Sequence, residues 1–252
     1  MLYSPRGRSD DESGRSGPAP TQGSVVHGRL PCAVSRRGRG GDDRAPAGPE
    51  RRGGAGRRGN GTFAVAAAEA NPRLAVWAFD ALASAVAECE KRATQVRDRF
   101  DTGVAWAESV PLPDASVDRV LCRAVLHHVA DAPVAYAEFA RILKPGGLLL
   151  LQAPCNFWGQ SWGRSISEFY LLADDSHRRQ YHQPADVITG LNDVGLFMRR
   201  ADCWTYRLSD LSERQAAWVA QNGAAEQFNL QQHRGGAWSV DLYWVRIVAT
   251  KG

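Results

Sequence analysis

Apolar positions along the chain change their period several times, and each change marks an element. From residue 59 onward, "TFAVAAAEA" (62–70) reads as a short helix of small residues. "LAVWAFD" (74–80) is a buried apolar strand that ends in an acid. "SAVAECEKRATQVRDRF" (84–100) has the 3.6-residue stripe of an amphipathic helix with a charged outer face. "GVAWAE" (103–108) and "SVDRVLCRAV" (116–125) read as strands. "APVAYAEFARIL" (132–143) is helical and stops at Lys-Pro-Gly-Gly. "LLLLQAP" (148–154) is a continuous apolar run, the pattern of a strand inside a parallel sheet. A helix at 184–195, a strand around 199–208 and a terminal strand at 240–250 complete the series. Strands alternating with helices predict a Rossmann-like, doubly wound α/β fold: a mostly parallel sheet closed by an antiparallel C-terminal strand.

The first 58 residues have a different texture. Only 24–34, "SVVHGRLPCAV", has enough apolar residues for a short strand. Residues 1–59 hold 13 of the 25 glycines, 6 of the 13 prolines and 12 of the 31 basic residues, all arginine, against 6 acids. Such a segment cannot bury enough surface to offset its ordering entropy, so 1–58 is expected to be a disordered extension to a domain at 59–252. Its arginine-only basicity also fits a G+C-rich coding region read in a wrong frame. The segment carries a net +6 and the rest of the chain −2, so the basic excess does not lie on the folded part. That argues against nucleic acid as the partner of the domain. RNA binding guided by the arginine-rich segment is the competing reading. No apolar run approaches the roughly 18–20 residues that span a bilayer, and residues 1–30 hold no signal-type apolar region. The five scattered cysteines have neither zinc nor disulfide spacing, so no metal is expected, and isolated thiols suit a reducing cytoplasm. Composition leaves the oligomeric state open.

"GNGTFA" (59–64) opens a helix with two glycines, and Asp80 ends the next strand about 20 residues on. Glycines there allow close backbone approach to a ligand, the helix N-terminus favours polar or anionic groups, and the acid can accept from both ribose hydroxyls. By itself this fits a nicotinamide dinucleotide as well as other nucleotides. His127 and His128 are candidate general bases by their chemistry. Being adjacent, they should point apart in any regular element. The stretch 155–183 is rich in aromatic residues and lies where such folds insert an acceptor-binding lid. Phe157, Trp158, Trp162, Tyr170 and Tyr181 could wall a flat or apolar acceptor.

"GNGTFAVAAAEANPRLAVWAFD", "AESVPLPDASVDRVLCRAVLHHVAD" and "RILKPGGLLLLQAP" stand in order and at spacings that resemble class I S-adenosylmethionine-dependent methyltransferases. They look most like the small-molecule branch of the ubiquinone/menaquinone-biosynthesis type. The resemblance covers 59–155 well and 156–252 loosely. It implies S-adenosylmethionine as cofactor and methyl transfer to an oxygen, nitrogen or carbon of a small organic acceptor. It also implies that Gly59, Asn60 and Gly61 line the methionine part and that Asp80 holds the ribose. Ala81 and Leu82 would flank the adenine, with Ala107 and Glu108 at its edge, while Arg123 and Ala124 pass close to the cofactor. His127 and His128 would stand at the mouth. Trp106 occupies a place where the family often has Asp.

One departure is large. The family's first strand, ending in Asp-x-Gly-x-Gly, should precede Gly59, but the sequence there is "GGAGRRGNG". Three accounts are open: a surrogate strand from the N-terminal segment, an upstream frame error, or a degenerate relative without cofactor binding. The intact pattern from Gly59 onward favours the second.

Overall fold

The computed structural model describes residues 32–37, 61–155, 181–221 and 228–252. In chain order they form β1 (Cys32–Arg37), α1 (Thr62–Ala70), β2 (Leu74–Asp80), α2 (Ala83–Arg92), β3 (Phe100–Val104), β4 (Val117–Arg123), α3 (Ala132–Ile142) and β5 (Leu143–Pro154). There follow α4 (Pro184–Asp193), β6 (Leu196–Leu211), α5 (Glu213–Gln221), β7 (Gln231–Gln232) and β8 (Trp238–Lys251). The strands lie side by side in the order β3-β2-β1-β4-β5-β8-β6, and β7 adds to β8. β2 and β3 are parallel, as are β4 and β5. β8 runs antiparallel between β5 and β6. This is the doubly wound α/β sheet with an antiparallel C-terminal strand that the sequence predicts, but its pairings are mixed: β2–β3 and β4–β5 are parallel, and the pairs made by β1 and β8 are antiparallel.

The centre of the sheet is where structure and expectation part. Within the stretch expected to be an extension, Cys32–Arg37 fills the slot between β2 and β4, antiparallel to both. Cys32 stands opposite Phe79 and Cys122, at the carboxyl ends of its neighbours, and Arg37 opposite Leu74 at the other end. A strand in this slot satisfies backbone groups that β2 and β4 would otherwise leave open. A ladder forms in either direction, so strand sense is not dictated by the neighbours.

Helices lie on both faces. α1 and α2 pack over β2 and β3 through Ala64, Val65, Ala68, Val76, Ala78, Cys89 and Val96. α3 and α4 cover the other face of β4, β5 and β8, with Phe139, Ile142, Leu149, Leu151, Leu191 and Ile247 fully buried. α3 begins at Asp131, whose carboxylate accepts from the Val134 amide at 3.2 Å. Leu148 and Leu150, in the run expected to be buried on both sides, are only half-buried.

Boundaries and elements differ from the sequence pattern in places. The helix predicted over 84–100 is α-helical only across Ala83–Arg92. Ala93–Arg99 tightens into 3₁₀ turns broken at Val96, with φ −129°. Val96 and Phe100 are both buried under α1 and α2, so packing ends this helix before its charged stripe does. The third strand therefore starts at Phe100, and 105–108 lie in the turn beyond it. α5 and β7 have no counterpart among the predicted elements. α5 buries only Gln215, Ala216 and Val219, too narrow a stripe to see. Its capping box is legible: the Ser212 amide donates to Gln215 Oε1 at 3.0 Å and the Gln215 amide to Ser212 Oγ at 3.2 Å. With the far ends of β6 and β8, α5 builds a satellite cluster of Tyr181, Leu211, Val219, Phe228, Val240 and Leu242.

The loop before β4 is pinned by one side chain. Arg141 donates to Glu138 at 2.7 Å, Asp114 at 2.6 Å, and the carbonyls of Leu112 and Val110 at 2.8 and 3.0 Å. Glu138 in turn accepts from the Val110 amide at 2.6 Å, and this arginine holds its carboxyl below the usual range. Arg141→Leu should cost about 1–3 kcal/mol in urea unfolding, because two carboxylates and two carbonyls lose their donor. Amide exchange should quicken in the 110–115 loop.

Candidate active site

The order of strands reverses between β1 and β4, and the carboxyl ends of β2 and β4 flank that switch point. Crevices of this kind are where open α/β sheets bind ligands. Asp80, the last residue of β2, is 2% exposed. Its Oδ1 accepts from the Leu82 amide at 2.9 Å, and its Oδ2 has no hydrogen-bond partner among the described residues. Burial pushes its pKa from 3.8 to about 6, against the opposing pull of the Leu82 amide. A buried acceptor oxygen held open at a strand end fits a hydroxyl donor such as a ribose 2′- or 3′-OH.

Gly61 caps α1 with φ +75°, and no side chain caps that end. A Cβ on Gly61 would collide with Cys89 Sγ, so glycine is required by both conformation and space. Cys89 is fully buried, and burial raises its thiol to about 11. Its role is therefore to form a floor beneath the helix start. Ala81 and Leu82 follow Asp80 and are half-exposed. Ala107 is buried beside the exposed Trp106. The Glu108 carboxylate accepts from the Ala130 amide at 3.1 Å, which ties the turn after β3 to the loop after β4.

At the end of β4 the backbone bends sharply. Ala124 has φ +57° and is 2% exposed, and its amide donates to the Gln152 carbonyl at 2.8 Å. Strain of this kind at a strand end is characteristic of functional loops. Arg123 donates through Nε to Gln152 Oε1 at 3.0 Å. Its guanidinium lies 4.0 Å from the Phe63 ring centroid and 5.6 Å from that of Trp244. Gln152 thus holds both Arg123 and Ala124, a role the sequence reading did not assign. Its signal was a single polar residue inside the "LLLLQAP" run.

His127 and His128 lie in one 3₁₀ turn, Leu126–His128. The expectation that they point apart fails: their ring centroids are 4.0 Å apart, because the turn is too short to separate successive side chains as a strand does. His127 is 4% exposed, and the Tyr181 ring stacks on it at 5.5 Å. His182 follows, with burial lowering its pKa against the opposing charge of Asp186.

The structure thus brings Gly61, Asp80, Ala81, Leu82, Ala107, Arg123, Ala124, His127 and His128 to the carboxyl side of the sheet. Tyr181, a member of the satellite cluster, lies against His127. Gly59, Asn60, Phe157, Trp158, Trp162 and Tyr170 lie outside the described residues. Among the described residues no three His, Cys, Asp or Glu side chains are placed to hold a metal ion, and no helix is long and apolar enough to cross a membrane.

Residues 55–151 match a family model described as a methyltransferase domain. An uncharacterized methyltransferase of Bacillus subtilis, YcgJ, is 44% identical over 82 residues, covering 32% of each chain. The crystal structure of YcgJ superposes with a TM-score of 0.61 at 21% identity, over 69% of this chain and 81% of that one. The 27-O-demethylrifamycin SV methyltransferase of Amycolatopsis mediterranei is 33% identical over 186 residues, 68% of this chain and 59% of its own. A demethylmenaquinone methyltransferase of Deinococcus radiodurans is 35% identical over 99 residues, 38% and 40% of the two chains. With the strand order, these likenesses support a class I methyltransferase domain over residues 55–151. The chain spans three fifths or less of the length of these curated relatives.

Asp80 makes a prediction with a defined sign. Its folded pKa lies above its unfolded one, so its ionisation destabilises the fold as pH rises from about 4 to 6, and the cost persists above that. Asp80→Asn should therefore raise ligand-free stability by roughly 1–3 kcal/mol at pH 7. The gain should fade as pH falls through 6 and vanish near 4, as read by thermal melts across pH.

Proposed function

We propose that the protein transfers the methyl group of S-adenosylmethionine to an oxygen, nitrogen or carbon atom of a small organic acceptor. The observation that carries this reading is Asp80: a buried carboxylate at the end of β2 whose second oxygen has no described partner. That oxygen would accept the ribose hydroxyls. The backbone at Gly61, on the uncapped start of α1, would approach the methionine part. Ala81 and Leu82 would flank the adenine and Ala107 its edge. The cofactor, when bound, supplies a methyl group activated on a sulfonium. The chain's residues then have to align the acceptor in line with that methyl and keep water out. His127 and His128 would take a proton from an acceptor that must lose one. Arg123 would form the wall between α1 and β8 rather than a direct cofactor contact. The relatives named for demethylmenaquinone and 27-O-demethylrifamycin support a small organic acceptor. The chemistry is assigned to the cytoplasm, where the cofactor is made and thiols stay reduced.

A second reading has one specific observation behind it. The strand in the central slot, β1, runs antiparallel to both neighbours, where a parallel first strand is expected. A methyltransferase-like binding protein that has lost its cofactor would show this. Calorimetric titration of the full chain with S-adenosylmethionine separates the two. Micromolar binding, weakened at least tenfold by Asp80→Ala, is the expected result. The absence of heat from a sample with a cooperative melt would overturn the proposal in favour of the second reading.

A further inference from the structure

Tyr181 belongs to two parts of the molecule at once. Its ring lies on that of His127, with centroids 5.5 Å apart and planes 17° from parallel. It is also a member of the satellite cluster, where it packs with Leu211 from β6, Val219 from α5, Phe228, and Val240 and Leu242 from β8. Its side chain is 9% exposed. His127 is set from the other direction by its backbone. The turn that carries it is closed by the His128 amide on the Val125 carbonyl at 2.7 Å, just after the left-handed Ala124. The backbone fixes where the imidazole starts, and the rings of His128 and Tyr181 lie against it.

We propose that Tyr181 is a positioning residue: it sets the imidazole of His127 and carries the packing state of the satellite cluster to the candidate site. The functional half rests on the reading of His127 as an acceptor-side group, whereas the structural half does not. Packed interiors transmit a change in one side chain to its neighbours because there is little free volume to absorb it. Tyr181 belongs both to the ring pair with His127 and to the cluster built by α5 and the far ends of β6 and β8. A change in that cluster should therefore reach His127 by this route.

The test is a double-mutant cycle read by imidazole nitrogen NMR on the ligand-free full chain, with the His127 signals assigned by their loss in His127→Gln. Val219→Ala, one element removed from the histidine, should move the His127 signals. Val86→Ala on α2, a similar truncation elsewhere in the core, should not. In a Tyr181→Leu background the effect of Val219→Ala on His127 should disappear, and Tyr181→Phe, which keeps the ring, should preserve it. Leu211→Val replaces Val219→Ala if that variant does not fold. The proposal is overturned if the satellite variants leave His127 unmoved, or if their effect persists undiminished without the Tyr181 ring. Because no ligand is present, failure to bind S-adenosylmethionine would overturn the proposed function and leave this result standing.

Discussion

The sheet depends on its central slot. β2 and β4 each present a row of amide and carbonyl groups toward it, and both are buried by helices on at least one face. An empty slot would strand those groups away from water and split the sheet into two halves. Cys32–Arg37 closes it, and order β3-β2-β1-β4-β5 follows as one continuous ladder. Backbone pairing is indifferent to side chain and tolerant of direction, so a segment with a poor apolar pattern can occupy the place. The direction nonetheless matters for chemistry. A strand running away from the carboxyl ends leaves the chain at the wrong end of the sheet to enter α1 directly. The site is then organised mainly by the elements after it.

Those elements use few residues for several tasks. Gly61 sits where both its left-handed conformation and the Cys89 thiol beneath it exclude a side chain. Asp80 is held by one amide and left open at its other oxygen, an arrangement that costs stability without a donor. Gln152 supports both Arg123 and Ala124, so the bend after β4 is fixed from β5. Glu108 joins the turn after β3 to the loop after β4. Two loops that would contact a nucleoside from different sides are thereby kept in register. Conserving the geometry of such a site takes hydrogen bonds between loops as much as residues that touch ligand.

The far ends of β6 and β8 are organised separately. The ends of β6 and β8 extend beyond the main sheet and bury their own small cluster with α5. A second core of this size can respond to its own contacts without disturbing the first. Tyr181 is a member of this cluster, and its ring lies against His127, which in turn meets His128.

Much of this was legible in the chain. The alternation of apolar runs specified α1 to β5 and the terminal strand, because burial on one face imposes a period on any sequence. The glycine turn and the acid about 20 residues later were legible as a candidate nucleotide site, and the Pro-Leu-Pro-Asp and Lys-Pro-Gly-Gly blocks pointed to the methyltransferase domain that residues 55–151 match. What the tertiary structure alone decided was of another kind. The occupant and direction of the central strand were invisible, because backbone hydrogen bonding carries no side-chain signature. The end of the helix at Arg92 was set by where Val96 and Phe100 had to be buried, not by propensity. The meeting of His127 with His128 and Tyr181 came from a turn too short to separate neighbours and from a cluster built by strands far apart in sequence. Local pattern records how each segment covers its own apolar face, and only the assembled fold records which segments share one.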